Sequence, residues 1–328
     1  GTLKEMTLED IKKTSLEHFK SLIVSSHGDG VDVQRTALAF WRFGPELDQQ
    51  HDKARLGGKL WELLPADTRV PDHTIWNHLD LTSAFASAFA LDPQKNPALL
   101  AMSFGPVQDF IAQARTTSDL WAGSHLLSRL AWEGLKVICE QLGPDAVIFP
   151  QLRGVPQVDL WLLKEMGLPE RYFDGADWLN RQTDANPLFA AALPNKLVAI
   201  VPATLGAELA EQITAAVRAW VKEQTEAALT ELLKAAGMKA AGMADAPDLY
   251  AHAQITAQLE NFPEVHWALV PFAPLAREAG QGVDATELEA AQAPFRPVGD
   301  KGFLSGDAWK LLNREIKVDG ARFYHPNA

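Results

Sequence analysis

Four short apolar runs, each closed by a proline within two residues, restrict the folds that this chain can adopt. They occupy residues 99–104, 146–149, 197–201 and 265–270. Proline cannot donate to a strand ladder, so runs with these boundaries are typical of short buried strands. Apolar residues recur at helical spacing between the first and second runs, and again between the third and fourth. The predicted order is therefore β-α-β-β-α-β, and the predicted fold class is α+β.

The two predicted helices of this region are long and amphipathic. The second spans residues 208–233. The first follows a break around residues 116–123 and aligns Leu127, Leu130, Ala131, Leu135, Ile138 and Leu142 on one face. Helices that connect strands in this order produce the split β-α-β, or ferredoxin-like, arrangement. We expect such a domain, with helical insertions, over residues 98–279.

Residues 1–91 contain helical patterns without a strand pattern. Helices are expected at residues 8–22, 36–43, 56–64 and 70–91, the last with Pro71 in its first turn. The polar, proline-bracketed segment 92–97 has the composition of a linker. The predicted organisation is a helical domain at 1–91, the strand-containing domain at 98–279, and a connector at 280–328 that includes a helix at 307–316.

Composition excludes several classes of function. The chain has 42 acidic and 30 basic residues, and the resulting net charge of −12 disfavours autonomous binding of nucleic acid, which depends on Lys and Arg neutralising phosphates. Cys139 is the single cysteine, so an internal disulfide and a zinc site built on paired thiolates are excluded. We find neither an apolar run long enough to span a membrane nor a signal pattern, and expect a cytoplasmic protein without a membrane partner.

The most specific motif lies at residues 105–128. It starts with Gly-Pro-Val-Gln-Asp-Phe-Ile-Ala-Gln-Ala-Arg at 105–115, continues with Asp-Leu-Trp-Ala-Gly-Ser at 119–124, and ends with Leu-Leu-Ser at 126–128. Weaker matches follow family order at residues 64–69, 71–76, 78–80, 143–145, 148–150 and 265–267. On these residues the chain resembles the amino-terminal half of the large, polymerase/cyclase-like subunit of type III-B (Cmr) CRISPR effector complexes.

The resemblance implies a helical HD-like domain followed by the first of two palm domains. In this family a second palm with a Gly-Gly-Asp-Asp motif makes cyclic oligoadenylates from ATP, with Mg²⁺, when target RNA is bound. That palm, and the four-cysteine zinc module of many members, have no counterpart in this sequence. The implied partners are the other Cmr subunits, the second palm, and guide RNA and target RNA through the complex.

The predicted strand ends lack the carboxylates that a metal-dependent palm requires. The first strand ends in Ser103-Phe-Gly105, and the second is followed by Pro150-Gln-Leu-Arg153, without Asp or Glu. We therefore expect a non-catalytic palm that acts as a scaffold and forms one wall of a nucleotide pocket completed by the second palm. The alternative that ignores the resemblance is a ferredoxin-like module at 98–271 that binds a small molecule.

Gly123 and Ser124 are the candidate nucleotide-binding residues. The break at residues 116–123 predicts that Ser124 lies at or near the N-cap of the following helix. A nucleotide could then approach that helix end over Gly123, since free N–H groups and the helix dipole favour phosphate there. The structural alternative is a tight turn in which Trp121 fills the core.

His51, Asp52, His73 and Asp80 are the candidate metal ligands of the HD-like domain. HD phosphohydrolases hold one or two metals with His and Asp from several helices, whereas His51 and Asp52 lie in a polar run. His73 and Asp80 are seven positions apart, which places them roughly 10 Å apart along a helix, too far to share one ion. We expect a degenerate site, with His73 and Asn77 forming a buried polar stripe. The functional alternative is a metal-dependent nuclease for single-stranded DNA.

Overall fold

The computed structural model describes residues 8–26, 30–47, 59–67, 72–238, 250–272, 316–318 and 321–323. The helices in these ranges are α1 (Leu8–Ser21), α2 (Val33–Phe43), α3 (Lys59–Glu62), α4 (Ile75–Leu91), α5 (Val107–Ile111), α6 (Thr117–Gln141), α7 (Pro156–Lys164), α8 (Asp177–Asn180), α9 (Gly206–Ala235) and α10 (Tyr250–Leu259). The strands are β1 (Pro97–Gly105), β2 (Val147–Phe149), β3 (Lys196–Pro202), β4 (Glu264–Pro271), β5 (Ile316–Val318) and β6 (Ala321–Phe323). Within the described ranges, no helix combines the length and apolar character needed to cross a membrane.

Strands β1–β4 form one sheet in the order β2-β3-β1-β4, and each neighbouring pair is antiparallel. Leu100 of the inner strand β1 lies opposite Ala199 of β3 and Leu269 of β4. The four apolar runs are therefore confirmed as strands: β2 is one residue shorter than its run, and the others are longer by one or two residues at each end. The α+β fold class is confirmed.

One face of the sheet is covered by α6 and α9. The side chains of Leu100, Met102 and Phe104 alternate onto this face and are at most 3% exposed. Gly134 of α6 lets the helices approach the sheet closely, since a Cβ there would lie 2.9 Å from Phe104 Cζ and 3.1 Å from Ile213 Cγ2. The main core of the protein lies in this layer.

The opposite face is covered at one end by α4. Ala84 and Ala88 of α4 are 1% exposed and pack with Ile200 of β3, with Leu99 beside them. Alanine side chains allow a helix to lie close to a sheet, so α4 attaches the helical segment directly to the strands.

The helical segment and the strand-containing segment share one hydrophobic core. Phe43 of α2 contacts Phe173 edge-on, with ring centroids 5.3 Å apart. In the connecting segment 92–97, buried Asp92 accepts hydrogen bonds from the backbone N–H and the hydroxyl of Thr204, both at 3.0 Å. The connection is therefore held against the sheet, and the division into domains at 91 and 98 stays a prediction.

Capping residues explain where helix boundaries differ from the sequence prediction. α2 begins at Val33 because Asp32 Oδ1 accepts the N–H of Arg35 at 2.9 Å. α4 begins at Ile75, five residues later than predicted, because Thr74 caps it. The helix predicted at 56–64 is confined to α3 within the described residues. The helix predicted at 307–316 falls outside the described residues except for Ile316, which begins β5 instead.

Candidate functional site

The predicted nucleotide residues Gly123 and Ser124 lie inside α6. This helix begins seven residues before Ser124, because the Thr116 hydroxyl caps it by accepting the N–H of Asp119 at 3.1 Å. The Ser124 hydroxyl instead donates to the Leu120 carbonyl at 2.9 Å, one turn back in the same helix. The prediction that Ser124 caps a helix is therefore wrong. A helical glycine costs only about 1 kcal/mol, so packing along the rest of α6 carries the helix through Gly123.

Gly123 is the contact point between α5 and α6. A Cβ at this position would lie 3.4 Å from Phe110 Cε1 and 3.5 Å from Ile111 Cδ1. Trp121, which the structural alternative placed in the core, is 47% exposed and stacks on His125 with ring centroids 6.1 Å apart. The small residues here thus shape the elbow between two helices.

The start of α6 is exposed and carries charge of both signs. Asp119 Oδ2 accepts the backbone N–H of Arg115 at 3.1 Å, and this hydrogen bond lowers the pKa of the Asp119 carboxyl. The Arg115 side chain is 90% exposed. The N–H groups that open the helix belong to Thr117 and Ser118, both exposed, so a phosphate at this helix end would meet those two residues.

The predicted metal ligands His73 and Asp80 have separate partners. His73 precedes α4; its Nδ1 is 2.7 Å from Asp72 Oδ1 and its Nε2 is 3.2 Å from His78 Nδ1. Asp80 forms an ion pair with Arg153. The expected stripe of His73 and Asn77 is wrong, because Asn77 is exposed and His73 lies before the helix.

His51 and Asp52 lie outside the described residues. Across the part of the chain that is described, no three His, Cys, Asp or Glu side chains are grouped to hold a metal ion.

A cavity of about 580 Å³ lies between the helical segment and the strand-containing segment. One wall comes from α1, α2 and α4, and the other from the end of α6 and the turn 143–145. Among its lining residues are four aromatic side chains: Phe19, Phe40, Trp41 and Trp76.

The polar groups of this cavity centre on Arg153. Besides its ion pair with Asp80, Arg153 donates its Nε–H to the Trp41 carbonyl at 2.6 Å, and its guanidinium lies 5.4 Å from the centroid of the Trp41 ring. Asp145 also lines the cavity; burial raises the pKa of its carboxyl, an effect that the Ser83 hydroxyl opposes. Burial likewise raises the pKa of Asp80, against the influence of Arg153.

A second surface is the end of the sheet that α4 does not reach. Here the register aligns four apolar side chains, one from each strand, which we call the open row: Phe149, Val198, Ala101 and Ala268. The next row on this face, two residues farther along β1 from Ala101, is polar and consists of Lys196, Ser103 and His266. Ala101, Ala268, Phe149, Lys196 and His266 are all exposed in the described structure.

Sequence reasoning missed Arg153, Asp145 and the open row. The ion pair of Arg153 with Asp80 joins residues 73 positions apart, and no local pattern predicts such a contact. The alternation of the strands could have revealed the open row, because the small residues Ala101 and Ser103 alternate in the first run with the large apolar residues that face the core.

Three comparisons with known proteins agree. Residues 99–234 match the family described as "CRISPR-associated protein Cmr2, N-terminal". The CRISPR system Cmr subunit Cmr2 of Pyrococcus furiosus is 39% identical over 173 residues, which are 53% of this chain and 17% of the relative. The Cmr2 subunit of Saccharolobus solfataricus is 37% identical over 107 residues, 32% of this chain and 10% of that protein.

Two solved structures share the fold. A cryo-EM structure of type III-B Cmr-beta in the apo state has a TM-score of 0.55 at 18% identity, and the same complex bound to cognate target RNA has a TM-score of 0.57. Each match covers 90% of this chain and 30% of the other. The similarity to the amino-terminal part of a type III-B Cmr large subunit is therefore confirmed, and the chain spans less than a third of the relatives' length.

Proposed function

We propose that this chain acts as the amino-terminal part of the large subunit of a type III-B Cmr complex. In that role it is a scaffold, and its sheet forms one wall of a nucleotide pocket. A second palm completes this pocket, which then binds ATP and Mg²⁺. Its partners are the other Cmr subunits and, through the complex, guide and target RNA. The similarity to Cmr2 and to chains of the Cmr-beta complex supports this assignment.

The topology supports a palm. The connectivity from β1 to β4 and the strand order β2-β3-β1-β4 fit the ferredoxin-like arrangement. We assign α1–α4 to the HD-like domain because the match to the Cmr-beta structure extends over 90% of the chain.

The open row is the main observation that supports a nucleotide-binding wall on this sheet. An apolar strip across an antiparallel sheet is normally buried, whereas Phe149 is 47% exposed and Ala101 and Ala268 are exposed. The strip suits the flat face of a nucleobase; the adjacent Lys196 supplies positive charge for phosphates, and the His266 ring supplies a hydrogen-bonding group.

The carboxylates around the open row are too few for catalytic metals. The described residues of the two rows include no Asp or Glu, and Glu264, beside them on β4, lies 3.7 Å from His266. A two-metal site needs several oxygen ligands. We therefore assign metal binding to the second palm and nucleotide contact to this one, with Gly123 and Ser124 supporting the pocket through the α5–α6 elbow.

The test is ATP binding by the complete subunit, assembled from this chain and a second palm. Ala101→Glu places a bulky negative charge on the open row at an exposed position, and we expect it to abolish ATP binding while assembly is retained. Ala207→Glu, at a position in the first turn of α9 that is also exposed, is the matched control and should bind ATP normally. Wild-type ATP affinity in the assembled Ala101→Glu subunit would overturn the proposal.

A further inference from the structure

The cavity between the helical segment and the strand-containing segment is not used by the proposed function. Its volume of about 580 Å³ falls within the roughly 300–1,000 Å³ typical of small-molecule sites. Such sites combine an apolar lining with a few well-placed polar groups. The aromatic wall from α1, α2 and α4 and the polar groups opposite it have this composition.

Negative charge exceeds positive charge in this cavity. Its charged lining residues are Asp80, Asp145, Glu140 and Arg153; Arg153 already holds Asp80, and Glu140 has Lys136 at 3.8 Å. The Cys139 thiol also lines the cavity and is uncharged, because burial raises its pKa. The Asp145 carboxylate has the Ser83 hydroxyl as a hydrogen-bonding neighbour but no ion-pair partner among the described residues, and its Oδ2 accepts no hydrogen bond there. A mostly buried carboxylate without a paired cation is unfavourable, so a positively charged ligand that approaches the Asp145 carboxyl from the cavity gains binding free energy.

The aromatic wall suits the remainder of such a ligand. Aromatic faces attract cations and accept flat apolar groups. Trp41 demonstrates the first property, because the Arg153 guanidinium lies 5.4 Å from its ring centroid. A cation is therefore already stabilised between the aromatic and acidic groups of this cavity.

We propose that the cavity binds a small organic cation, an ammonium group on an aromatic body, with the ammonium donating to Asp145. Binding is non-covalent and independent of the ATP pocket. The charge of the head group decides affinity, and the aromatic body fills the space beside Phe40 and Trp76.

The experiment is calorimetric titration of the full chain with three probes that share an indole body. Tryptamine is cationic, tryptophol is neutral and indole-3-propionate is anionic at neutral pH. We expect tryptophol to bind about tenfold more weakly than tryptamine, the value of one charge-assisted hydrogen bond, and indole-3-propionate not to bind. Equal binding of tryptamine and tryptophol, or no binding of tryptamine, would overturn the proposal.

Two variants locate the site. Asp145→Asn should weaken tryptamine binding about tenfold, whereas Asp184→Asn, which removes the same charge from an exposed position, should leave it unchanged. Ala37→Trp adds bulk at an exposed lining position of α2 without changing charge, and should block tryptamine while Asp145 is left intact. Unaltered tryptamine affinity in folded Ala37→Trp would place the ligand elsewhere and refute the assignment.

Discussion

The guanidinium of Arg42 on α2 holds the carboxylate of Asp159 on α7 through two hydrogen bonds, Nε to Oδ1 at 2.6 Å and Nη2 to Oδ2 at 2.9 Å. The side chains are 8% and 5% exposed, and they lie 117 residues apart in the sequence. Two parallel hydrogen bonds fix the relative position of the two groups. This pair therefore sets how the helical segment meets the strand-containing segment.

Arg42→Met should strongly destabilise the protein. It keeps the length of the side chain but leaves Asp159 buried without its cation, a situation that costs about 3–5 kcal/mol in the free energy of unfolding. Denaturant unfolding measures this loss. The matched control is Arg181→Met, because Arg181 pairs with Asp177 at the surface and should contribute at most about 1 kcal/mol. Similar losses in both variants would contradict a special role for the buried pair.

Thr116→Ala should destabilise α6, and Ser124→Ala should not. The Thr116 hydroxyl satisfies the N–H of Asp119 at the helix start, and loss of such a cap costs about 1 kcal/mol. The Ser124 hydroxyl donates to a carbonyl that already takes part in the helix, so its removal should change stability by less than about 0.5 kcal/mol. Chemical denaturation measures the free energy of unfolding of both variants. A larger loss for Ser124→Ala than for Thr116→Ala would contradict the assignment of the cap to Thr116.

Gly134→Ala and Gly123→Ala should have opposite effects. A methyl group at 134 meets Phe104 at 2.9 Å and Ile213 at 3.1 Å, and overpacking of this kind costs about 1–3 kcal/mol. At 123 the nearest atom is 3.4 Å away, so the helix propensity of alanine should raise stability by up to about 1 kcal/mol. Thermal unfolding of both variants measures the difference. Equal losses of stability would show that Phe110 and Ile111 of α5 cannot move to accommodate a methyl group at residue 123.

The strands could be predicted from the sequence because their signals are local. Apolar runs that end at proline define β1, β3 and β4 within two residues, and the order of helices between them defines the fold class. The start of α6 could not be predicted from composition alone. Gly123 and Ser124 resemble a turn, but a cap at Thr116 and the packing of residues farther along the helix outweigh their low helix propensity.

The partners of the ionisable side chains in the cavity could not be predicted either, and the reason is different. The sequence offers Asp80 as a candidate metal ligand of the HD-like domain, yet its partner in the structure is Arg153, 73 residues away. Spacing along one helix describes only neighbours on that helix. Asp145 and the open row likewise acquire their properties from residues that the fold brings together, so a single sequence gives their positions without their environment.

Asp145→Asn should stabilise the protein at neutral pH, and the gain should disappear in acid. Burial raises the pKa of Asp145 above its ordinary value of 3.8, with Asp80, Arg153 and Ser83 as its neighbours in the cavity. Above that raised pKa the folded protein carries an unfavourable buried charge, which the amide removes, for a gain of about 1 kcal/mol. As the pH falls toward 3.8, the folded wild type binds a proton that the unfolded chain does not, so its disadvantage shrinks. Unfolding free energies of both proteins between about pH 4 and pH 7 test this sign. Asp184→Asn controls for net charge, and a difference between Asp145→Asn and wild type that stays constant with pH would show that Asp145 is ionised equally in both states.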